Sequence, residues 1–285
     1  MRVGVEILNL ARSAGARTIF VVGTGSGVGK TTTVRAIYAA ARDAGVRVAL
    51  ASLGRDAESL WLGPGTVFAT ARALLPSSPA AEILNLSPLR SAAGGVLYVR
   101  AAAGGFFELA GPPTASGVRA VVDELLARSD VAIIDGAVDR VAAVSGSGGA
   151  IVVAAGAETA PTKDEAVAET AALVARLRIA AFDPGEAWID VEGALTPSDA
   201  AAFIARAETR QIVVRDPTQF ALSGRPAQQA LKRLKIRCRR PLHVIAVTVA
   251  SIGSERAFEP AQFAGAVAAA TDLPAFDVYR GARAA

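Results

Sequence analysis

The chain has 285 residues, with 30 basic side chains against 26 acidic ones and a formal net charge of +4. One cysteine, Cys238, excludes an intrachain disulfide and a zinc site made of several cysteines. The one histidine, His243, lies in an apolar run, which predicts a strand residue rather than a catalyst or a metal ligand.

Membrane insertion is also disfavoured, although 52% of the residues are hydrophobic. The longest uncharged run, residues 141–157, is shorter than the roughly 20 apolar residues that a bilayer-spanning helix requires. This run predicts a loop followed by a buried strand. The N-terminal residues mix charges into their apolar positions and lack the apolar core of a signal peptide. We therefore expect a cytoplasmic protein without a membrane partner.

The first elements along the chain follow the pattern of a parallel sheet covered by helices on both faces, because short β-branched runs alternate with alanine-rich stretches. This pattern predicts a strand at 18–23, a helix from Gly29 to about Ala44, and a second strand at 46–54. Gly45 is placed to end the helix. The predicted fold class is α/β, with a doubly wound, mostly parallel sheet.

Between residues 64 and 113 the pattern loosens and indicates a small β insertion. The run "GTVFATARALL" predicts a helix at 65–75. The runs "AEILNL", "GVLYVRA" and "GFFELAGPP" predict short strands joined by alanine and glycine turns. A helix is predicted next, at 115–129.

The second half of the chain returns to regular alternation. Buried strands are predicted at 131–135 and 150–154, and an amphipathic helix at 163–178. The last hundred residues predict strands at 187–191, 211–216, 242–250 and 274–279, and helices at 196–208, 226–235 and 259–271. Because no Ser/Pro-rich linker interrupts the chain, we expect one domain over 1–285, with an extension at 187–285 that continues the same sheet.

A basic cluster, "KRLKIRCRR" at 232–240, raises the question of a nucleic-acid partner. Aromatic residues for stacking bases are not interleaved with its charges. We therefore interpret it as the solvated end of a helix and expect no nucleic-acid partner.

The most informative stretch is "VVGTGSGVGKTT" at 21–32, with four glycines and one of the chain's few lysines between a predicted strand and a predicted helix. Glycines permit the positive-φ backbone that turns several N–H groups inward, and a helix N-terminus adds partial positive charge. A lysine there can neutralise phosphate oxygens, and a following hydroxyl can bind Mg²⁺. Lys30 and Thr31 fill these two roles.

The spacing departs from the strict phosphate-loop pattern, because the glycine expected five residues before Gly29 is replaced by Thr24. The dinucleotide fingerprint also fails, since its third glycine would fall on Lys30. A variant phosphate loop is the interpretation that remains. The alternative without a function is a glycine-rich surface turn in which the lysine has no role.

The stretch "GTGSGVGKTT" resembles the P-loop of the dethiobiotin synthetase and cobyrinate synthase group, within the larger class that includes the MinD and ParA ATPases. The signature lysine of MinD and ParA, five residues before the P-loop lysine, is Gly25 here. Lysine chemistry across a dimer is therefore not implied, and a homodimer is left open. The resemblance implies nucleotide contacts along the loop, from Gly23, Thr24, Gly25, Ser26, Gly27, Val28, Gly29, Lys30, Thr31 and Thr32.

Acidic residues at strand ends complete the expected site. "VAIIDGAVDR" resembles the second element of the class, and four buried strand residues would deliver Asp135 to the sheet edge beside the loop, within reach of Mg²⁺. Asp56 matches the position where the dethiobiotin synthetase group supplies another metal carboxylate, and we place it with Lys30 in catalysis. Arg55 is a candidate phosphate contact. Asp216, at the end of a later strand, is a candidate contact to the base.

A broader resemblance, through segments such as "ALASLGRDAES", "AIIDGAVDR" and "LPAFDV", is to bacterial P-loop proteins similar to the reactivase subunit of adenosylcobalamin-dependent lysine aminomutase. It implies an ATPase that acts on a partner enzyme. Two alternatives stay open: an ATP-dependent ligase or kinase acting on a small carboxylic acid, and a nucleotide sensor without turnover. The expected cofactors are ATP and Mg²⁺, with ATP favoured because no guanine-reading Asn-Lys-x-Asp motif occurs.

Overall fold

The computed structural model describes residues 2–53, 59–75, 80–136, 141 and 148–279. The helices are α1 (Arg2–Ser13), α2 (Lys30–Asp43), α3 (Ala115–Leu126), α4 (Lys163–Leu177), α5 (Pro197–Ala205), α6 (Gly224–Arg233) and α7 (Pro260–Thr271). The strands are β1 (Thr18–Gly23), β2 (Val48–Ser52), β3 (Ser59–Leu62), β4 (Val67–Ala71), β5 (Ala81–Ser91), β6 (Gly94–Ala101), β7 (Gly105–Glu108), β8 (Val131–Asp135), β9 (Ala150–Gly156), β10 (Trp188–Asp190), β11 (Gln211–Val214), β12 (Lys235–Cys238), β13 (His243–Ala250) and β14 (Ala275–Asp277).

The main sheet of the described chain has nine strands in the order β14-β13-β9-β1-β8-β2-β4-β6-β5. The strands from β14 to β4 are parallel to their neighbours, and β6 and β5 add two antiparallel strands at one edge. The predicted α/β class with a mostly parallel sheet is therefore confirmed. Because carboxyl ends of parallel strands share one edge, β1, β8, β9 and β13 all end beside the turn that follows β1.

Helices cover both faces of this sheet, and the alternation along β1 explains why. Ile19 and Val21 belong to the apolar layer under α1 and α2. Phe20 and Val22 belong to the opposite layer, under α3, α4 and α7. These four side chains are at most 1% exposed. A strand buried on both faces in this way holds the turn after it in a fixed position.

Close packing of α1 on α2 depends on Gly4. A Cβ built on Gly4 would lie 1.9 Å from the carbonyl oxygen of Ala36 in α2, so any side chain there must push the helices apart. We expect Gly4→Ala to lower the free energy of unfolding by about 1–3 kcal/mol, as overpacking does.

The matched control is Gly265→Ala on the exposed side of α7, where a Cβ meets nothing within 4 Å. This change should raise the free energy of unfolding by roughly 0.5–1 kcal/mol, because alanine loses less backbone entropy in a helix. Urea unfolding of both variants measures the two effects. A Gly4→Ala protein as stable as the wild type would contradict the close approach.

The predicted helix at 65–75 is wrong. Residues 67–71 form β4, which is fully buried and hydrogen-bonded to β2 on one side and to β6 on the other. A short turn of 3₁₀ helix, Arg72–Leu74, follows it. A strand buried on both faces has no polar alternation, so its apolar run resembles a helix segment until its pairing partners are known. The three predicted strands of the insertion are present as β5, β6 and β7.

The last hundred residues divide between two sheets. β13 and β14 extend the main sheet as predicted, whereas β10, β11 and β12 form a separate parallel sheet. This second sheet packs with α5 and α6 around its own apolar core, which includes Phe220, Ile212 and Cys238. The expectation that the predicted strands continue one sheet is therefore wrong for β10 and β11, because hydrophobic patterning identifies a buried strand but not the sheet it joins. A single domain over 1–285 stays a prediction.

The structure also places the basic cluster, Cys238 and His243. The basic cluster spans the end of α6 and the strand β12 rather than a helix end alone. Cys238 is buried, and desolvation raises the pKa of its thiol to about 12, which makes it a poor nucleophile. His243 is the first residue of β13, as expected of a strand residue. α1, β3 and β12 were not predicted. Within the described ranges, no helix is both long and apolar enough to cross a membrane.

Candidate functional site

The glycine-rich turn lies between β1 and α2, at the carboxyl edge of the main sheet. Gly27 has φ of 70° and Gly29 has φ of 84°, both in the left-handed region that side chains rarely adopt. Gly29 is also the N-cap of α2, and no side chain caps the helix there. A helix start of this kind, whose main-chain N–H groups carry partial positive charge, is an arrangement that binds anions.

Packing beneath the turn explains its other small residues. A Cβ on Gly23 would lie 2.7 Å from Val28 Cγ2 and 2.9 Å from the Lys30 side chain. A Cβ on Gly29 would lie 2.9 Å from that of Ala250 in β13. Val28 is buried, so the turn folds over its own side chain and packs on the end of β13. Substitution at either glycine would change the shape of the turn.

Threonine hydroxyls fix the turn to the strands beside it. The N–H of Thr24 donates to the carbonyl of Ala154 in β9 at 3.0 Å, and its hydroxyl lies 2.7 Å from that of Thr159. In the first turn of α2, the Thr33 hydroxyl donates to the carbonyl of Gly29 at 3.0 Å and lies 2.8 Å from that of Thr248. The turn is therefore held through β9 and β13, the two strands that follow β1 on one side of the sheet.

Lys30 is the first residue of α2, and its side chain folds back over the turn. Its ammonium donates to the carbonyl of Gly25 at 2.7 Å. Residues 25–27 are exposed, so this cation stands at the mouth of the turn, accessible from solvent. A phosphate bound in the turn would lie beside it. The phosphate-binding role of Lys30 stays a prediction.

Asp135 ends β8, one strand away from the turn. Its register partners are Val21 of β1 and Ser52 of β2, so it lies at the same sheet edge as the turn, and it is 6% exposed. Thr31, in the first turn of α2, is half-buried. A hydroxyl and a carboxylate are oxygen donors that suit Mg²⁺, which usually takes one or two protein ligands and completes its shell with phosphate and water.

The described residues contain no cluster of three or more acids, histidines or cysteines that could hold a metal by itself. Arg55 and Asp56, the other predicted phosphate and metal contacts, lie outside the described residues.

Asp216 lies after β11, in the second sheet, and its contacts are local. Its carboxylate accepts a hydrogen bond from the N–H of Thr218 at 3.0 Å and thereby caps a short turn of 3₁₀ helix. The same carboxylate forms an ion pair with Arg215 at 2.9 Å. Its carboxylate is buried. These contacts give Asp216 a structural role, while its contact to a nucleotide base stays a prediction.

Glu158, in the turn after β9, was missed by the sequence reasoning. Its carboxylate accepts a hydrogen bond from the N–H of Glu255 at 2.9 Å and another from the Ser254 hydroxyl at 3.2 Å. The bond from Glu255 is the largest cause, and that from Ser254 a smaller one, of a pKa below the usual value for this carboxyl. A Cβ on Gly27 would lie 3.7 Å from its Cγ. Glu158 therefore joins the turns after β9 and β13 next to the glycine-rich turn. An acid after a buried strand was the available signal.

Together the strand, the glycine-rich turn, the lysine and the helix start define a P-loop nucleotide-binding protein. Residues 19–183, more than half of the chain, match the model of the CobQ/CobB/MinD/ParA nucleotide-binding domain. The chain belongs to this family, which confirms the resemblance to the class of MinD and ParA. A comparison with curated proteins found no match.

Proposed function

We propose that this protein binds ATP with Mg²⁺ and hydrolyses it, and that hydrolysis drives a change of conformation or the handling of a partner. The observation that carries the proposal is the turn itself. Its two left-handed glycines and the uncapped start of α2 lie beside an exposed ammonium group, at the edge where Asp135 ends its strand.

In this proposal the chain's own groups mainly position and neutralise charge, as phosphoryl transfer requires. Main-chain amides of the turn bind phosphate oxygens, and Lys30 neutralises charge near the terminal phosphates. Thr31 and Asp135 hold Mg²⁺, which when bound offsets the negative charge between the phosphates. Asp56 is proposed to add a carboxylate on the attacking side.

The partner is proposed from sequence resemblance. Segments across most of the chain resemble reactivase-like proteins, so a cobalamin-dependent aminomutase is the partner class to test first. In that case ATP turnover would depend on the partner, because hydrolysis in the absence of the partner enzyme would consume ATP without reactivating any enzyme.

The test is release of phosphate from ATP and Mg²⁺ by the purified protein, alone and with a purified aminomutase. We expect ATP binding by the protein alone, turnover that rises when the partner is added, and loss of turnover when EDTA removes Mg²⁺. Turnover only with a small carboxylic acid would replace the proposal by a ligase or kinase activity. Tight binding without turnover in every mixture would replace it by nucleotide sensing, and no binding would contradict it outright.

A further inference from the structure

A cavity of about 460 Å³ lies beside the P-loop, between α4 and the start of α6. Gly23 and Thr24 line one end of it, and its walls come from α4 and from residues 222–228. Among the described residues, Lys30 and Thr31 are not part of its lining. The volume lies within the range of small-molecule sites, about 300–1,000 Å³. It is therefore a second space next to the expected phosphate position, which it adjoins at Gly23 and Thr24.

Arg176, in the last turn of α4, supplies a cation to this cavity. Its Nε is buried without a hydrogen-bond partner, and no carboxylate of the described residues pairs with its guanidinium. Desolvation lowers the pKa of Arg176, so the surroundings disfavour the charge that the side chain carries. A buried N–H without a partner is costly, and native structures rarely keep one without a reason. An anionic ligand would remove that cost.

The walls between Arg176 and the P-loop are mostly apolar. On α4, Glu169, Ala172, Leu173 and Arg176 are spaced by three and four residues and so share one face of the helix. Across the cavity lie Leu222 and Ala227, both buried. The stripe on α4 covers roughly 10 Å at 1.5 Å per residue, which suits a ligand with an apolar body rather than a bare inorganic ion.

Charge restricts the ligand further. Glu169 is exposed, stands two helical turns before Arg176 and has no ion-pair partner among the residues that the structure describes. Its carboxylate would repel a second anionic group at that end of the cavity. Ser223, which precedes α6 without capping it by a side-chain hydrogen bond, adds a polar group to the lining.

We propose that this cavity binds a small organic molecule with a single anionic head group, a carboxylate or a phosphate. The head pairs with the Arg176 guanidinium, whose fork of N–H donors matches either group. The apolar body lies between α4 and α6 and points towards Thr24. The site goes beyond nucleotide hydrolysis, and its occupation does not require that the P-loop hold ATP.

The experiment is calorimetric titration of the full chain with hexanoate, octanoate and hexyl phosphate, and with hexanamide and inorganic phosphate as controls. We expect saturable binding of at least one amphiphilic anion, and weaker or no binding of the uncharged amide and of phosphate alone. Comparing the affinity for the two carboxylic acids with the affinity for hexyl phosphate shows which head group is preferred. No binding of any amphiphilic anion up to about 10 mM, the range of very weak complexes, would overturn the proposal.

Two variants locate the site. Arg176→Gln should weaken binding of the anion by about 10- to 100-fold, the loss expected for hydrogen bonds to a charged group. Ala172→Leu should block binding by filling the cavity with a good helix-forming residue. Arg225→Gln removes the same charge from an exposed position on α6 that does not line the cavity, and binding should stay within twofold.

These measurements separate this proposal from the proposed ATPase. Lys30→Ala should keep the affinity for the anion, whatever it does to nucleotide binding. Arg176→Gln should unfold at a temperature no lower than the wild type, because it removes a buried donor without a partner. If both Arg176→Gln and Ala172→Leu fold and bind the anion as the wild type does, the cavity is not its site.

Discussion

Lys30→Ala is expected to lose at least about 100-fold in affinity for ATP, because the ammonium makes charge-assisted contacts worth roughly 1.5–3 kcal/mol each to the phosphates. The fold should be unchanged. The hydrogen bond of the Lys30 ammonium goes to the carbonyl of Gly25, an exposed residue of the same turn, so its loss leaves no buried group without a partner. Titration with a fluorescent ATP analogue measures the affinity, and thermal unfolding checks the fold.

The control for this variant is Lys163→Ala. Lys163 is one of the chain's other lysines and the first residue of α4, so its removal changes the net charge by the same amount at a position outside the P-loop. Its affinity for ATP should stay within twofold of the wild type. A folded Lys30→Ala protein that binds ATP as tightly as the wild type would show that the turn is not the phosphate site.

The P-loop could be predicted closely because its chemistry is local. The predicted strand at 18–23 has the same bounds as β1, and α2 begins one residue after the predicted start at Gly29. Glycine at positive φ and a helix start depend on a few consecutive residues. The buried strand that ends at Asp135 was predictable for the same reason, since an apolar run followed by an acid specifies both the strand and its polar end.

The rest of the fold depends on contacts between distant segments. β4 was predicted as a helix because its apolar run fits either structure, and only its pairing with β2 and β6 decides. The separate sheet of β10–β12 could not be predicted, because parallel strands show the same apolar runs in any sheet. Patterning thus predicts elements well and their partners poorly.

Parts of the candidate site were missed for the same physical reason. Thr159 contacts Thr24 across a sequence separation of 135 residues, and neither residue carries a motif that points to the other. In the sequence, Arg176 is only one polar position of a predicted amphipathic helix. Only the packing of α6 opposite α4 encloses it in a cavity. Residues that act through tertiary neighbours leave little signal in a single sequence.

Asp135→Asn is the second substitution with a large expected effect. If Asp135 holds Mg²⁺ at the carboxyl edge of β8, the amide should lower ATP turnover by about 100-fold, the size of loss seen when a group that stabilises developing charge is removed. Asparagine has nearly the same shape, so the buried strand end should still fold. Turnover measured across a range of Mg²⁺ concentrations should also need more metal to reach half its maximum.

Asp130→Asn is the matched control, because Asp130 directly precedes the same strand at its opposite end. Its carboxylate pairs with Arg47 at 2.6 Å on the exposed surface, far along β8 from the P-loop edge. Exposed pairs contribute little to stability, so this variant should fold and turn over ATP as the wild type does. If Asp135→Asn matched it in turnover and in metal requirement, the carboxylate at the end of β8 would not be a metal ligand. Thr31 would then be the only described side chain left from the predicted Mg²⁺ site.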